Sequence, residues 1–471
     1  MSTRRAPSLE TLSRTALCLV LSTALQTASS ESSLDRIADL RAAPAARASR
    51  NSLARSPEVL PVFTCADSGP GSLRAAVESA VDGDTIDLAE LTCSLITLST
   101  GITVTVASLT LLGPGSDRLA ITDPTSDTGG IVHVGYGVVD LQGLSLQDTN
   151  RYLPGACLYS HGSVYLEDVT VQRCAAHDDL GVAQYVAGGG IYAQGIVRLE
   201  NSRVTENEAL AAYGQNAFGG GVFAGSGLRM HNSTISGNEA ISGYQLGLGG
   251  GAFALKYADV YGSTIAMNRA GYGEYLGDVG GLVIAGYGMD STPSVITDST
   301  IYGNSATNLI GGIHASAPLT LHNSTVTSND ARYNGMPGKY VAAGVHVYET
   351  SADISSSIIA HNNAANYPFD LSGYVQTITG SHNLIMASLI APPDTITDDP
   401  ELGVLADNGG PTYTQALSPT SPAIDRGSDN GLTSDQRGPP YVRVAGAAAD
   451  IGAFELQQGI DDQIFADGFD P

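Results

Sequence analysis

The chain repeats itself, and this repetition restricts its fold more than any other feature of the sequence. The stretch GGGIYAQGIVRLENSRVTENEA begins at Gly188, and related stretches begin at three later positions, Gly219, Gly249 and Ile310. Inside each stretch a glycine precedes an asparagine by a constant 17 positions, as Gly190 precedes Asn207 (207 − 190). Units of constant internal spacing stack on one another as the coils of a solenoid.

Aligning the repeats by this spacing places asparagines in one column. Asparagine tolerates a left-handed backbone, and its amide can hydrogen-bond to the coils above and below. Continued towards the N-terminus, the column takes in Cys174 and Asp148. We therefore predict a buried structural ladder made of Asn207, Asn238, Asn268, Asn304, Asn329 and Asn362.

A second column, six positions earlier (207 − 201), predicts a tight turn. Its members are mostly residue types that accept a positive φ: Asp168, Asn201, Asn232, Gly262, Asp298, Asn323 and Ser356. Apolar residues alternate around this turn, as Val197 and Leu199 do, and alternation is typical of strands. Each repeat should form three short strands, about 4.8 Å from the next coil. The predicted fold is all-β, a right-handed parallel β-helix.

The N-terminus has the composition of a secretory signal peptide. In residues 1–30, Arg4, Arg5 and Arg14 accompany the apolar run TALCLVLSTAL, and small residues follow it. Elsewhere the chain lacks the roughly 18 consecutive apolar residues of a transmembrane helix. We therefore predict a secreted protein with no transmembrane span. Residues 31–60 are rich in Ala, Arg and Ser without periodicity, and we interpret them as a disordered linker.

The charge balance limits the partners. The chain has 47 acidic and 22 basic residues, a formal net charge of −25. Such a surface repels nucleic acid, so no nucleic-acid partner is predicted. A uronate lyase needs cationic bases and Ca²⁺-binding carboxylate clusters. With Lys256 and Lys339 as its lysines and no repeated Asp cluster, the sequence disfavours that activity. It predicts no cofactor and no metal.

Four cysteines follow residue 30, and an even number in an exported chain favours disulfides, with three pairings open. Cys157 and Cys174 are 17 positions apart (174 − 157). They therefore occupy the glycine and asparagine positions of one coil. We therefore predict that they pair, and that Cys65 pairs with Cys93. A zinc site is the alternative, but no CxxC or Cys/His spacing accompanies these residues.

Near the start of the solenoid, SLRAAVESA carries Leu73, Ala76, Val77 and Ala80 at helical spacing. We predict a short N-terminal helix that caps the open edge of the first coil. The surrounding DSGPGSLRAAV and GDTIDL resemble the entry segment of exported bacterial β-helix proteins of the pectin-lyase-like superfamily. The β-helix, with this cap, is expected to span residues 61–398.

Five motifs follow in one order: SHNLI, DNGGPTYTQAL, SPAIDRG, DQRGPP and ADIGAFE. They resemble the choice-of-anchor Q region found after β-helix repeats in exported surface proteins, which implies architecture and export but no catalytic residues. We expect residues 399–456 to form a C-terminal cap in which Ile424, Ile451 and Phe454 cover the last coil. Its charged residues are expected to form a buried polar network: Asp425, Asp435, Arg437 and Asp450.

The last residues, 457–471, resemble the IFxDGFE-like ends of proteins exported by some Gram-negative bacteria. We interpret them as a sorting signal, with a frayed terminus as the alternative. Together with the signal peptide, this resemblance predicts an extracellular or outer-surface location.

One outward face offers a catalytic candidate. Glu167 and Glu200 should stack about one strand spacing apart, near the roughly 5–5.5 Å of a retaining glycosidase pair, and His231 follows in their column. That arrangement would make the chain a polysaccharide hydrolase or lyase. The alternative, which we favour, is a solvated ladder of ion pairs.

A second outward column contains Tyr192, Phe223 and Phe253, and later His314 over His346. Two histidines on adjacent strands could bind a metal, but no carboxylate or cysteine completes the site. We therefore interpret this pair as surface histidines and not as a metal site.

Insertions between the repeats carry tyrosines, among them Tyr213, Tyr244, Tyr272 and Tyr275. Tyrosine packs on sugar faces and donates a hydrogen bond, so these residues are candidates for ligand binding. Loops that pack on one another are the alternative. The sequence as a whole predicts a non-catalytic, exported protein that binds or adheres to a polysaccharide or cell-surface component.

Overall fold

The computed structural model describes residues 55–125, 130–152, 154–178, 183–212, 215–243, 245–271, 277–287, 292–332, 342–364, 369–375, 377–388 and 390–457. Within these ranges the chain forms 43 strands and one α-helix, α1 (Leu73–Ser79). The predicted signal peptide and C-terminal tail lie outside the described residues, except for Gln457. The first strand, Val59–Pro61, begins inside the predicted linker and pairs with Asp84–Asp87.

The largest sheet is parallel and consists of three rows of strands, one row for each stretch of a coil. Row 1, before the tight turn, contains Val59–Pro61, Asp84–Asp87, Ser108–Leu112, the start of Val138–Tyr152, the start of Ser163–Asp178, Ile196–Glu200, Gly227–His231, Tyr257–Tyr261, Ser294–Thr297, Leu319–His322, Ser351–Ser355 and Thr377–Thr379. Row 2, after the turn, adds Leu95–Thr97, Ala120–Thr122, Arg203–Thr205, Thr234–Ser236, Thr264–Ala266, Thr300–Tyr302, Thr325–Thr327, Ile358–Ala360 and Leu384–Ile385. Row 3 adds Glu208–Ala211, Glu239–Ser242, Arg269–Ala270, Ser305–Ala306, Asp330–Ala331 and Asn363–Ala364.

A second parallel sheet, sheet 2, closes each coil. It contains Ile102–Val104, Val132–Val134, Leu158–Ser160, Ile191–Ala193, Val222–Ala224, Ala252–Ala254, Leu282–Ile284, Ile313–Ala315, Val345–Tyr348 and Leu371–Tyr374. Sheet 3, between row 3 and sheet 2, contains Tyr185–Ala187, Asn216–Phe218, Gly247–Leu248 and Gly277–Val279. A last, antiparallel pair is formed by Leu402–Ala406 and Thr414–Leu417.

Inward side chains stack coil upon coil and form one continuous core. One column of sheet 2 side chains pairs in register and is fully buried: Ile191, Val222, Ala252, Leu282, Ile313 and Val345. Row 2 contributes a parallel column that includes Val204, Ile235 and Ile265. Parallel pairing of each coil with the next confirms the parallel β-helix.

The asparagine ladder is present and buried. The Oδ1 of Asn238 accepts from the backbone N–H of Asn207 at 3.0 Å and from its Nδ2 at 2.9 Å, and Asn268 repeats this pattern below. At the last rung Asn362 donates to the Oδ1 of Asp370, which terminates the ladder. The buried backbone groups of this corner therefore find their partners in side chains.

Two details of the ladder differ from the sequence alignment. Cys174 pairs with Thr149, so Asp148 is not a ladder residue; it lies opposite Arg173 and forms an ion pair with it, 2.6 Å between the nearest atoms. The left-handed residue is also the one before the ladder asparagine and not the asparagine itself, as at Glu206 (φ 56°).

A second polar ladder, of serines, follows the tight turn. The N–H of each serine donates to the Oγ of the next, at 3.1 Å from Ser202 to Ser233 and at 3.1 Å from Ser233 to Ser263. The turn residues before them have a positive φ as predicted, for example Asn201 at 47°. The remaining rungs are Ser299, Ser324 and Ser357, and Asn383 closes the series.

The N-terminal end matches its prediction. Ser72 caps α1 by accepting from the N–H of Ala75 at 3.2 Å, and Leu73 and Val77 are buried in the solenoid core. Disulfides join Cys65 to Cys93 and Cys157 to Cys174. Both predicted pairings are therefore confirmed.

The C-terminal segment, residues 402–457, lies along the side of the coils as well as against the last one. Its Thr412 donates to the carbonyl of Gly262 at 3.0 Å, 150 positions earlier in the chain. Row 2 hydroxyls bind it: Thr264 donates to the carbonyl of Tyr413 at 2.7 Å, and Thr300 donates to the Oε1 of Gln436 at 2.6 Å. The apolar residues expected to cover the last coil pack with row 2 side chains Ile358, Ala360 and Leu384.

Of the four charged residues expected to form a buried network, Asp435, Arg437 and Asp450 are buried, whereas Asp425 is half-buried. Arg437 and Asp435 form an ion pair of 2.7 Å with fully buried side chains. Arg443 lies 3.6 Å from Asp298 of the tight-turn column, and burial raises the pKa of Asp298 to about 8, although the Arg443 charge lowers it. The Arg443–Asp298 pair joins the segment to the solenoid. Among the described residues, no helix has the length and hydrophobicity needed to cross a membrane.

Candidate functional site

The catalytic candidates lie together on the outward face of row 1. Glu167 and Glu200 are opposite each other on adjacent coils, and Glu200 is opposite His231 on the next. The column therefore has the order that the sequence predicts. Its side chains are reachable, since Glu167 is exposed and 21% of the Glu200 side chain is accessible to solvent.

The contacts of Glu200 are those of an ion-pair ladder. Its Oε2 lies 3.3 Å from Nη2 of Arg198, and its Oε1 accepts from Nδ1 of His231. The His231 ring in turn lies 5.2 Å from the Tyr261 ring. A glycosidase nucleophile needs a carboxylate oxygen that faces the substrate, and both oxygens of Glu200 face neighbouring side chains instead.

The predicted ligand-binding tyrosines are on the insertions between repeats. Tyr213, Tyr244, Tyr272 and Tyr275 all lie outside the described residues. Their role in ligand binding stays a prediction.

An aromatic column runs along the outward face of sheet 2. Ring centroids lie 5.1 Å apart between Tyr159 and Tyr192, 4.9 Å between Tyr192 and Phe223, and 5.5 Å between Phe223 and Phe253, and all three pairs are stacked. Sheet 3 covers the middle of the column, where Phe218 contacts Phe253. Rings from Tyr192 to Phe253 are consequently buried and contribute to stability.

Towards the C-terminus, histidines replace the rings of this column. His314 and His346 stack with centroids 5.6 Å apart, and each meets a serine hydroxyl at 3.0 Å, Ser316 and Ser372 respectively. The sequence interpretation of exposed surface histidines is wrong, because both side chains are buried. Burial lowers the pKa of His314 to about 3 and that of His346 to about 4. Among the described residues no group of three or more His, Cys, Asp or Glu side chains could hold a metal ion.

Towards the N-terminus the aromatic column extends beyond the strands of sheet 3 that cover its middle. We call His133, Tyr136, Tyr159 and His161 the aromatic platform. The Tyr136 ring stacks on His161 at 5.4 Å, and Tyr159 meets His133 edge-on at 5.0 Å and His161 at 5.1 Å. Tyr136 is 79% exposed, whereas the other three rings are partly buried. The platform therefore presents ring faces together with imidazole nitrogens and a phenol hydroxyl.

A buried cation lies beside the platform. The Cζ of Arg151 is 5.1 Å from the centroid of the Tyr159 ring, and its Nη1 donates to the carbonyl of Pro154 at 3.2 Å. Burial lowers the pKa of Arg151 to about 10. Burial, followed by the charges of Arg151 and His161, lowers the pKa of His133 to about 4. His133 is therefore a neutral imidazole at pH 7.

Sequence reasoning missed this site although a signal existed. The sequence analysis places the column from Tyr192 onward, but its register extends two coils further, to Tyr159 and His133. Tyr136 and His161 lie just outside the strands, at the corner between sheet 2 and row 1, where the repeat spacing gives no guidance.

The stacked parallel sheets define the class of the protein, a parallel β-helix solenoid. No family model, curated protein or solved structure matches the chain. Its functional assignment therefore depends on its own residues.

Proposed function

We propose that this chain is an exported, non-catalytic β-helix protein that binds carbohydrate at a cell surface or outside the cell. The observation that carries the proposal is the aromatic platform. A sugar ring packs its C–H face on an aromatic ring, while hydroxyl and imidazole groups at the rim bind the sugar hydroxyls. Tyr136 offers the exposed ring face, and His161 and Tyr159 offer the polar rim.

Other observations support parts of this proposal. Two disulfides fit an oxidising compartment. The resemblance of the C-terminal motifs to the choice-of-anchor Q region, and of the tail to exported Gram-negative proteins, favours the outer surface. Hydrolysis at the Glu167–Glu200 column is disfavoured, because Arg198 and His231 engage both oxygens of Glu200.

A glycan array tests the proposal. We expect residues 31–471 to retain a defined set of glycans, and Tyr136→Ala to weaken their binding at least about tenfold, since stacking on one exposed ring supplies a large share of weak sugar affinity. Tyr374→Ala is a matched control, because Tyr374 is also an exposed tyrosine of sheet 2, at 62%, near the other end of the solenoid. Retention of no glycan, or equal losses in both variants, would contradict the proposal.

A further inference from the structure

We propose that the ligand of the aromatic platform carries an anionic group, a carboxylate, sulfate or phosphate, and that Arg151 attracts this group. The inference rests on the proposed function, because it specifies a property of the ligand bound at the same place. It identifies Arg151 as a specificity-determining residue.

The first reason is that Arg151 has no counter-ion among the described residues. Three arginines of the described residues are buried, each at most 5% exposed: Arg151, Arg437 and Arg443. Arg437 pairs with Asp435 and Arg443 with Asp298, but Arg151 forms no ion pair with a described residue. In a chain with 47 acidic and 22 basic residues, a buried guanidinium that pairs with no described carboxylate is unexpected.

The second reason is the incomplete hydrogen bonding of the same group. Nη1 of Arg151 donates to the carbonyls of Pro154 and Gly155, at 3.2 and 3.4 Å. Its Nε is buried and has no acceptor among the described residues. A buried donor without an acceptor destabilises the protein, so a ligand that lowers this cost is favoured.

The third reason is the position of the charge. Arg151 lies 5.1 Å from the centre of the Tyr159 ring, and that ring is in edge contact with His133 and His161. The described residues around the platform provide no carboxylate that pairs with Arg151, His133 or His161. Because Arg151 is shielded from water, its charge is screened less than that of a surface arginine.

These features give the ligand an orientation. A sugar ring that stacks on the free face of Tyr136 would direct an anionic substituent past His161, towards Tyr159 and the guanidinium beside it. Elsewhere the net charge of −25 repels anionic polymers, so such a ligand should bind at this place and not along the whole solenoid.

The experiment compares glycans by charge on an array that displays neutral, carboxylate-, sulfate- and phosphate-bearing members. We expect the wild-type chain to retain anionic glycans and Arg151→Met to lose at least about tenfold of their binding. Arg229→Met is the matched control, because Arg229 is an arginine of row 1 that lies over the Tyr257 ring, away from the platform. Arg151→Lys, which keeps the charge, should retain part of the binding if Arg151→Met misfolds.

The outcomes separate this inference from the proposed function. Retention of neutral glycans alone, dependent on Tyr136, would overturn the inference and leave the function intact. Retention of no glycan would overturn both.

Discussion

The asparagine ladder and the aromatic column of sheet 2 run along the same coils, but their polar groups are satisfied to different degrees. In the ladder, Asn238 accepts from Asn207 and donates to Asn268, to Val204 and to Ser236, so its amide is fully used. At the ends of the aromatic column, two buried groups have no hydrogen-bond partner among the described residues: Nδ1 of His314 at one end, and Nε of Arg151 beside the other end.

The difference teaches where function can be sought in a repeat protein. A column that repeats one residue type gives every member the same partners, so it stabilises the fold and has nothing left for a ligand. Where a column changes its residue type, the adjacent coil no longer offers a matching partner. Polar groups there can form their hydrogen bonds with a ligand instead. The aromatic platform lies where the column changes in this manner.

The largest effect is expected from breaking the ladder in its middle. Asn238→Ala removes the acceptor of the Asn207 N–H and the donor to the Val204 carbonyl, both buried. We expect a loss of about 3 kcal/mol in the free energy of unfolding, measured by urea denaturation. Arg229→Ala, on the exposed face of row 1, should change it by less than about 0.5 kcal/mol. Equal losses at the two positions would show that the ladder is not the stabilising column.

A smaller, pH-dependent effect is expected from making the aromatic column uniform. Burial lowers the pKa of His314 to about 3, below its ordinary value of 6.5, so the unfolded chain binds the proton first as the pH falls. His314 should therefore destabilise the fold progressively between pH 6.5 and pH 3, and by on the order of 2 kcal/mol at pH 5. His314→Phe removes this pH-dependent destabilisation.

Thermal melting at several pH values would measure the effect. The melting temperature of His314→Phe should fall less than that of the wild-type chain between pH 7 and pH 5. His382→Phe is a control for an exposed histidine, since His382 is solvent-accessible next to Ser381. Identical pH profiles for wild type and His314→Phe would contradict the buried, neutral state of this ring.

The serine ladder should respond more weakly than the asparagine ladder. Ser233→Ala leaves the N–H of Ser202 without its acceptor, but it breaks fewer contacts than Asn238→Ala. We expect a loss of about 1 kcal/mol, again by urea denaturation. Ser233→Thr retains the hydroxyl and serves as the conservative control. A larger loss for Ser233→Ala than for Asn238→Ala would reverse the proposed ranking of the two ladders.

The smallest effect is expected on the outward face of row 1. Glu200→Gln removes partly exposed ion pairs with Arg198 and His231, and surface pairs contribute about 0–1 kcal/mol. Stability should change little, and glycan binding at the platform should not change. A polysaccharide-cleaving activity of the wild-type chain that disappears in Glu200→Gln would show that this column is an active site.

Much of the fold could be predicted because the repeat fixes the register. Once Gly190 and Asn207 are aligned with Gly221 and Asn238, the inward columns and the ladder follow. The glycine is also required sterically, since a Cβ on Gly221 would lie 2.8 Å from Cγ of Asn238. Likewise the pairing of Cys157 with Cys174 follows from their positions in one coil.

The rest depends on features that do not repeat. The path of the C-terminal segment along the side of the coils is determined by single contacts, such as that of Gln436 with Thr300, and no spacing reveals them. The proposed site needs Tyr136 and Arg151. Neither residue belongs to a column that the repeat spacing aligns. The serine ladder could have been found, because a serine follows each turn residue from Asn201 onward.

The route of the C-terminal segment also affects the order in which the protein can be completed. The hydroxyl of Thr264 binds the carbonyl of Tyr413, 149 positions later. Until the C-terminal segment has docked, row 2 of the middle coils lacks its cover, and Thr264 and Thr300 face solvent or a chaperone. A chain truncated before Leu402 should show this intermediate state, by binding a dye for exposed apolar surface that the full chain does not bind.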